Sequence, residues 1–164
     1  MYRTGFGYDI HALAEGRELV LGGIKIPFHK GLLGHSDADV LLHAIIDSLL
    51  GAAAMGDIGT HFPDTSEEFK DYSSAKMLEY VVKLISDSGY KISNIDTSIV
   101  IEKPKIQPYI TNIKQSISKV LKIDVGAVSI KAKTNEGFGD IGNNEAVAAY
   151  ANCLIYKLSN SQKV

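Results

Sequence analysis

Hydrophobic and polar residues alternate along the first stretch of the chain, which predicts a β-strand over residues 2–11. Two short apolar runs follow, at 19–21 and 24–26, and they are separated only by Gly22 and Gly23. A pair of glycines between two apolar runs is typical of a tight hairpin turn, so these runs are predicted to pair as a small N-terminal hairpin.

Three later segments repeat apolar residues every three or four positions, which predicts helices. The first runs from a cap at Ser36 or Asp37 to about Leu50. Its apolar residues cover most of the circumference, which predicts a largely buried helix. The other two helices are predicted at about 73–88 and 109–121.

Two further strands are predicted, at 92–101 and 128–134, because apolar residues again alternate there. The last segment, 145–158, is ambiguous: its alanines suit a helix, while its alternating apolar residues also suit a buried strand. Since strands and helices interleave along the chain, the predicted class is α/β or α+β, with one mixed sheet covered by helices.

The composition indicates one globular domain, with 45% hydrophobic residues in 164 residues and no apolar run long enough to span a bilayer. Seventeen basic and nineteen acidic side chains argue against a general nucleic-acid binder, so we expect neither a nucleic-acid nor a membrane partner. The N-terminus lacks the basic-then-apolar order of a secretory signal, and the single Cys153 is expected to be a buried, inert thiol. Both features favour a reducing compartment.

Three side chains form a candidate metal site. Asp9 and His11 are two positions apart on a predicted strand and so share a face, and His43 lies in the first long helix. One carboxylate and two imidazoles would leave the fourth position of a tetrahedral zinc open, as in catalytic sites, but the spacing equally fits packed structural histidines. Asp39 and Asp47 lie one helical turn either side of His43 and are expected to hydrogen-bond its second nitrogen.

A second group of residues suits phosphate. Lysines flank a proline at 103–105, and Lys133 and Thr134 end a strand before a glycine-rich turn. Glu136 in that turn is a candidate ligand for magnesium between phosphates, although solvated strand ends would show the same residues. Glycines at 137, 139 and 142 match a dinucleotide fingerprint, but no βαβ unit surrounds them, and we reject that motif.

The sequence contains no P-loop and no nucleophile elbow. If the chain is an enzyme, its nucleophile is therefore expected to come from the substrate or from metal-bound water.

Taken together, these motifs resemble the 2-C-methyl-D-erythritol 2,4-cyclodiphosphate synthase family of the non-mevalonate isoprenoid pathway. The resemblance extends from Gly5 to about Lys157 in similar order and spacing, and seven ordered blocks are far more specific than any one of them. The blocks are 7–11, 31–40, 42–53, 56–59, 62–65, 104–105 and 131–136.

The resemblance implies an α+β fold: a single domain with a mixed four-stranded sheet, covered by helices on one side, plus the small N-terminal hairpin. It also implies that the last segment is a strand. The assembly it implies is a homotrimer whose sheets face the three-fold axis, with active sites at the subunit boundaries. Residues 1–158 would form the catalytic domain and 159–164 a C-terminal tail.

The resemblance also implies roles for individual residues. Asp9, His11 and His43 match the ligands of one zinc per subunit, His35 and Thr134 match residues that steady the transition state, and Glu136 matches a ligand of magnesium or manganese on the diphosphate. Matches to substrate-binding positions are Ser36, Asp57, Ile58, Gly59, Phe62, Pro63, Asp64, Thr65 and Ser66. Matches to nucleotide- and phosphate-binding positions on the neighbouring chain are Ile101, Glu102, Lys103, Pro104, Lys105, Ile106, Gln107, Lys133 and Asn135.

The implied reaction converts 4-diphosphocytidyl-2-C-methyl-D-erythritol 2-phosphate to the 2,4-cyclodiphosphate with release of CMP, in a bacterial cytoplasm or a plastid-type organelle. Two other functions remain open at this stage. A zinc hydrolase would use the same three ligands with a water nucleophile, and a trimeric binding module would perform no chemistry.

The sequence departs from the family in the glycine-rich segment, which usually reads Gly-Phe-Thr-Gly-Arg. Here 139–143 is Gly-Asp-Ile-Gly-Asn, with Asp140 and Asn143 in place of an aromatic and the arginine. In relatives that arginine faces an apolar cavity on the trimer axis that can hold isoprenoid diphosphates, so we expect weak or no binding there. Glu102 and Lys103 also replace more usual small or polar residues.

Overall fold

The computed structural model describes residues 1–63, 65 and 72–157. The predicted tail at 159–164 and the predicted substrate contacts Asp64 and Ser66 therefore lie outside the described residues. The strands are β1 (Tyr2–Glu15), β2 (Leu19–Leu21), β3 (Ile24–Ile26), β4 (Lys30–Leu32), β5 (Lys91–Val100), β6 (Val128–Lys133) and β7 (Ala146–Tyr156). The α-helices are α1 (Val40–Ala53), α2 (Ile58–His61), α3 (Ser74–Asp87), α4 (Ile110–Leu121) and α5 (Gly139–Gly142), and short 3₁₀ helices span Gln107–Tyr109 and Val125–Ala127.

The main sheet is mixed and has five strands in the order β4-β1-β7-β5-β6, while β2 and β3 form the predicted separate hairpin. The prediction of four strands is therefore wrong. The extra strand exists because β1 continues beyond residue 11 to Glu15, and its last three residues pair with β4. A three-residue strand is too short to show an alternating pattern of its own.

The ambiguous last segment is a strand, as the resemblance implies. β7 lies between β1 and β5, antiparallel to both, and pairs with β1 along eleven residues from Ala12↔Ala146 to Tyr2↔Tyr156. The alanines that suit a helix instead place only small side chains on one face of β7. Ala149 and Ala151 are fully buried on the same face as Gly7, where α1 packs.

Helix α1 is buried around almost its whole circumference, as predicted. It begins later than predicted, because its N-cap is Asp39, whose carboxylate accepts the Leu42 N–H at 3.1 Å, and not Ser36 or Asp37. It also ends later, at Ala53. A Cβ added to Gly7 would lie 1.9 Å from the Ala44 carbonyl oxygen, so the glycine lets α1 lie directly on β1. This close packing brings His43 onto Asp9 and His11.

The opposite face of the sheet is open in this chain. The even-numbered residues of β1 point there, and Tyr2, Phe6, Tyr8 and Ile10 are all exposed. The ring of Tyr8 packs against the ring of Tyr150 on β7 at a tilt of 40°, with 4.9 Å between their centroids. The helices thus cover one side of the sheet, as predicted, and leave an aromatic surface on the other.

The remaining elements lie close to their predicted positions. Helices α3 and α4 and strands β5 and β6 begin and end within about one residue of the expected bounds. Helix α2 was not predicted, because its four residues are too few to show a helical period. Among the described helices, none combines the length and the hydrophobicity needed to cross a membrane.

Candidate metal centre and substrate cavity

Asp9, His11 and His43 meet at one point between β1 and α1. Asp9 Oδ2 lies 3.0 Å from His11 Nε2 and 2.9 Å from His43 Nδ1, and the two nitrogens are 3.2 Å apart. Bonds of 2.0–2.1 Å in a tetrahedral zinc site separate two donor atoms by about 3.3–3.4 Å, close to these distances. These three side chains are the predicted ligands, and they form a group suited to a metal ion.

Hydrogen bonds on the far side of each imidazole leave the inner nitrogens free to bind a metal. His11 Nδ1 lies 2.9 Å from the Leu33 carbonyl, which only accepts, so this nitrogen carries a proton, and in the neutral ring Nε2 keeps its lone pair. His43 Nε2 lies 2.8 Å from Ser74 Oγ, and the Ser74 hydroxyl donates its proton to Asp37. Ser74 therefore accepts from His43 Nε2–H, which leaves the lone pair on Nδ1.

The charges in the cluster are strongly coupled. Burial alone would raise the pKa of Asp9, but the hydrogen bonds and charges of the His11 and His43 rings, when these carry protons on their inner nitrogens, outweigh burial and hold the pKa far below its usual value. Burial alone would lower the pKa of His11, but the hydrogen bond to Asp9 and its charge raise it. Asp9 is thus a carboxylate at neutral pH and offers the metal a negative charge.

Asp39 and Asp47 do not contact His43 Nε2, and that prediction is wrong. Asp39 is turned toward the β2–β3 turn, where it accepts the N–H groups of Gly22 and Gly23. Asp47 accepts the Ile58 N–H at 2.8 Å and so fixes the start of α2. Ser74 contacts His43 Nε2 instead of the two aspartates. It was not predicted because it lies 31 residues from His43 on a different helix.

A cavity of about 250 Å³ opens beside the cluster. It is lined by the three residues of the cluster and by five further predicted residues. Asp47, which was predicted only as a partner of His43, also lines it, as do Gly34 and Met77, which no motif singled out. The five predicted residues are His35, Ser36, Ile58, Gly59 and Phe62. His35 Nε2 is buried and makes no hydrogen bond within the described part of the chain, so it is available to a bound ligand.

Three predicted substrate contacts do not line the cavity. Asp57 caps α2, where its carboxylate accepts both the N–H and the hydroxyl of Thr60 at 2.8 Å. Pro63 is half-buried and Thr65 is exposed, on the far side of Phe62 along the chain.

The predicted phosphate residues lie elsewhere on the same sheet. Lys133 pairs with Val100, Val100 with Ala148, and Ala148 with Ile10, so the end of β6 is level with the metal ligands of β1. Three strand spacings separate the two, or about 14 Å. Thr134 and Glu136 are exposed and bonded to each other at 2.6 Å. Within one chain, the residues predicted for phosphate and the residues predicted for metal are therefore separate groups.

The predicted nucleotide segment, 101–107, is tied to the turn that carries Thr134 and Glu136. Glu102 accepts the Asn135 N–H at 3.2 Å, and the Asn135 side chain donates to the Phe138 carbonyl at 2.7 Å. Ile101 and Ile106 are buried. The remaining members, Lys103, Pro104, Lys105 and Gln107, are exposed or partly exposed.

Comparison with known sequences gives close relatives along the whole chain. Residues 2–156 match the family model described as the YgbB family. A relative from Clostridium perfringens is 54% identical over 155 residues, covering 94% of this chain and 99% of its own length. A relative from Clostridium acetobutylicum is 56% identical over 153 residues, covering 93% and 99% respectively. Both are named 2-C-methyl-D-erythritol 2,4-cyclodiphosphate synthase.

Two solved structures share the fold. The CDP complex of IspF from Plasmodium falciparum has a TM-score of 0.84 and 40% identity, and covers 96% of this chain and 97% of that one. The bifunctional IspDF from Campylobacter jejuni has a TM-score of 0.94 and 33% identity, covering 99% of this chain but 44% of that longer one. The match over residues 2–156 and these identities confirm the resemblance seen in the motifs: the chain is an enzyme that belongs to the YgbB family, a family of cyclising lyases.

Proposed function

We propose that this enzyme converts 4-diphosphocytidyl-2-C-methyl-D-erythritol 2-phosphate to 2-C-methyl-D-erythritol 2,4-cyclodiphosphate and CMP. The observation that carries the proposal is the cluster of Asp9, His11 and His43, whose inner nitrogens are free to bind a metal at the wall of a cavity. The names of the relatives, and the CDP in the Plasmodium falciparum structure, support the choice of substrate.

In the proposed reaction an oxygen of the substrate's 2-phosphate attacks its own β-phosphorus. The bond from that phosphorus to the oxygen bridging the α- and β-phosphates breaks, and this oxygen leaves with CMP. The attacking oxygen is already anionic, so the protein needs no general base. This fits the place of the one cysteine, Cys153, which is buried and does not line the cavity.

The protein's main task is then to hold a flexible substrate in a bent conformation. Clamping both ends of a chain that reacts with itself contributes up to about 7–11 kcal/mol in favourable cases. Ser36, Ile58 and Gly59 in the cavity wall, with Asp57 at the start of α2, are proposed to hold the methylerythritol portion. The remaining proposed contacts come from the segment after Phe62.

Asp9, His11 and His43 would hold zinc, one ion per subunit. Bound there, zinc would supply a Lewis acid that withdraws charge from a phosphate oxygen. His35 is proposed to donate a hydrogen bond to a non-bridging oxygen as negative charge develops on it. The support for this role is its buried Nε2, which has no partner among the described residues.

Glu136, with a single exposed carboxylate, would hold magnesium or manganese only together with the substrate diphosphate. The divalent ion would screen the negative charge of the α- and β-phosphates. Thr134 already orients this carboxylate through a 2.6 Å hydrogen bond, and its hydroxyl is proposed to contact the reacting phosphate as well. Lys133 and the segment 101–107 would bind the cytidine and its phosphate.

The metal cluster on β1 and the phosphate residues at the end of β6 are proposed to be two half-sites. Their separation supports a homotrimer in which each active site combines residues of two subunits. The turn at Thr134 and the metal ligands lie at the same end of the sheet but about 14 Å apart, so we propose that each site combines β1 of one subunit with β6 of the next. The exposed aromatic face of β1 and β7 supplies an apolar surface for the contact around the three-fold axis.

The decisive experiment incubates the purified protein with the cytidylyl substrate, zinc and magnesium, and analyses the products by mass spectrometry and phosphorus NMR. We expect equimolar cyclodiphosphate and CMP. An opened, hydrolysed product would favour the zinc hydrolase instead, and the absence of any product would favour the binding module. Sedimentation velocity tests the trimer independently.

Two variants assign roles within this experiment. His43→Ala should lose both bound zinc and turnover, since it removes a metal ligand. Asp57→Ala should keep its zinc and lose turnover about 10–100-fold, because Asp57 lies outside the metal cluster. Zinc loss in Asp57→Ala equal to that in His43→Ala would contradict this assignment.

A further inference from the structure

We propose that Ser74 and Asp37 are positioning residues for the metal site, and that they set the tautomer of His43 that a metal requires. The inference rests on the proposed metal site at Asp9, His11 and His43. It concerns two residues that neither the motifs nor the cavity assigned to that site.

Ser74 is the first residue of α3, and two hydrogen bonds to Asp37 fix its position. Its backbone N–H donates to Asp37 Oδ2 at 3.0 Å, and its hydroxyl donates to Asp37 Oδ1. The residue is fully buried, so no water competes for these bonds. This double contact fixes the position of Ser74 Oγ, which lies 2.8 Å from His43 Nε2.

The Ser74 hydroxyl has one proton, and it donates that proton in a hydrogen bond to Asp37. Toward His43 the oxygen therefore acts as an acceptor, which requires the proton of the imidazole to lie on Nε2. Ser36 Oγ also lies near this nitrogen, but at 3.3 Å, so Ser74 Oγ at 2.8 Å makes the shorter contact.

Asp9 favours the opposite tautomer. Its Oδ2 lies 2.9 Å from His43 Nδ1, so without a metal Asp9 would attract the ring proton to Nδ1. In that tautomer the lone pair lies on Nε2, which faces Ser74 and not the position between Asp9 and His11. The pair Ser74 and Asp37 counters Asp9 from the far side of the ring and keeps Nδ1 available. Without Ser74 and Asp37, a metal must first displace the proton on His43 Nδ1, which Asp9 stabilises there.

The test measures zinc binding to the metal-free full-length protein, by competition with a chromophoric chelator at pH 7.5. Ser74→Ala should weaken zinc binding about 10–100-fold, the usual effect of removing such a partner. The absorption spectrum of the cobalt-substituted variant should also shift, because the ring is no longer held in one orientation. Turnover should be lost at limiting zinc and largely recovered at excess zinc.

Ser118→Ala is the matched control. Ser118 is also a buried helical serine, and its hydroxyl donates to the Gln115 carbonyl in α4. It should lower the free energy of unfolding by a similar amount and leave the zinc dissociation constant unchanged. A purely structural role for Ser74 predicts that the two variants behave alike.

A zinc dissociation constant for Ser74→Ala within twofold of wild type would overturn the proposal. If Ser74→Ala does not fold, Asp37→Asn decides, because it keeps the serine and replaces the charged acceptor with a weaker neutral one. Asp37→Asn should weaken zinc binding several-fold, and wild-type affinity would overturn the proposal. Wild-type protein that binds zinc but forms no cyclic product would instead count against the proposed function alone.

Discussion

His11 Nε2 and His43 Nδ1 lie 3.2 Å apart and both contact Asp9 Oδ2. A proton on either inner nitrogen would occupy the space between these three atoms, so metal and protons compete for the same site. Burial opposes the charged form of His11, but the hydrogen bond to Asp9 and its charge outweigh burial, and the pKa of His11 is raised. Metal affinity is therefore linked to pH.

The first prediction concerns this linkage. Because the pKa of His11 is raised, the ring takes up its proton at a higher pH than a free histidine, for which the pKa is about 6.5. Zinc affinity should thus begin to fall above about pH 6.5 as the pH is lowered, and then by about tenfold per pH unit. Chelator competition between pH 5.5 and 8.5 measures this fall, and affinity that is constant from pH 6 to 8 would contradict it.

The second prediction concerns the close contact between β1 and α1. In Gly7→Ala the new methyl carbon would meet the Ala44 carbonyl oxygen at 1.9 Å, so α1 must move away from β1. His43 follows Leu42 and precedes Ala44 on that helix, and it would move away from Asp9 and His11. We expect a loss of at least about 1–3 kcal/mol in the free energy of unfolding and weaker zinc binding.

Gly51→Ala is the control for Gly7→Ala. Gly51 lies within the same helix, and a Cβ there would meet nothing closer than the Phe6 carbonyl oxygen at 3.9 Å. Alanine should therefore be neutral or stabilise the helix by up to about 1 kcal/mol. Urea unfolding and zinc titration of both variants make the comparison. Equal behaviour of the two would show that the spacing between β1 and α1 does not control the site.

The cluster of Asp9, His11 and His43 was predictable from sequence because two of its members lie on one strand and share a face. Residues two apart on a strand must point the same way, and this put Asp9 and His11 together before any tertiary contact was known. His43 on the first long helix completed the candidate group, and the family resemblance then matched all three residues to zinc ligands. The same resemblance resolved β7, where local preference alone could not, since its alanines fit a helix as well as a thin strand.

Contacts that depend on tertiary packing were not predictable in this way. Helical spacing put Asp39 and Asp47 near His43, but the rotation of α1 turns Asp39 toward the β2–β3 turn and Asp47 toward α2. Ser74 reaches His43 only because α3 packs against α1. Likewise β4 depends on pairing with the end of β1, and its three residues carry no pattern of their own.

The third prediction concerns Asp39, which is fully buried although it accepts three backbone hydrogen bonds, from Gly22, Gly23 and Leu42. Burial outweighs these bonds and raises the pKa of Asp39 to about 6. Between about pH 4 and 6 the native state therefore binds this proton more tightly than the unfolded chain. Stability from this group is present below about pH 4 and is lost as the pH rises toward 6, by up to about 3 kcal/mol.

Asp39→Asn removes the titrating group and tests this directly. Urea unfolding of the metal-free protein at pH 4.5, 5.5 and 7 gives the free energy for wild type and variant. The difference between them should change across this range, with wild type losing stability relative to the variant as the pH rises. Parallel curves would show that Asp39 does not titrate in the native state over this interval.

The last prediction concerns the axial surface of the proposed trimer. Asp140 lies on the exposed short helix α5, and Asn143 follows directly as its C-cap. Asn143 carries no positive charge for a diphosphate, and Asp140 adds a negative one that repels it. Calorimetric titration with an isoprenoid diphosphate should therefore show weak or no uptake by wild type, and micromolar or tighter binding would refute this.

The double variant Asn143→Arg with Asp140→Ala should gain affinity, because it removes the repulsion and supplies a bidentate cation. The control Lys119→Ala, which lies on helix α4, should gain none.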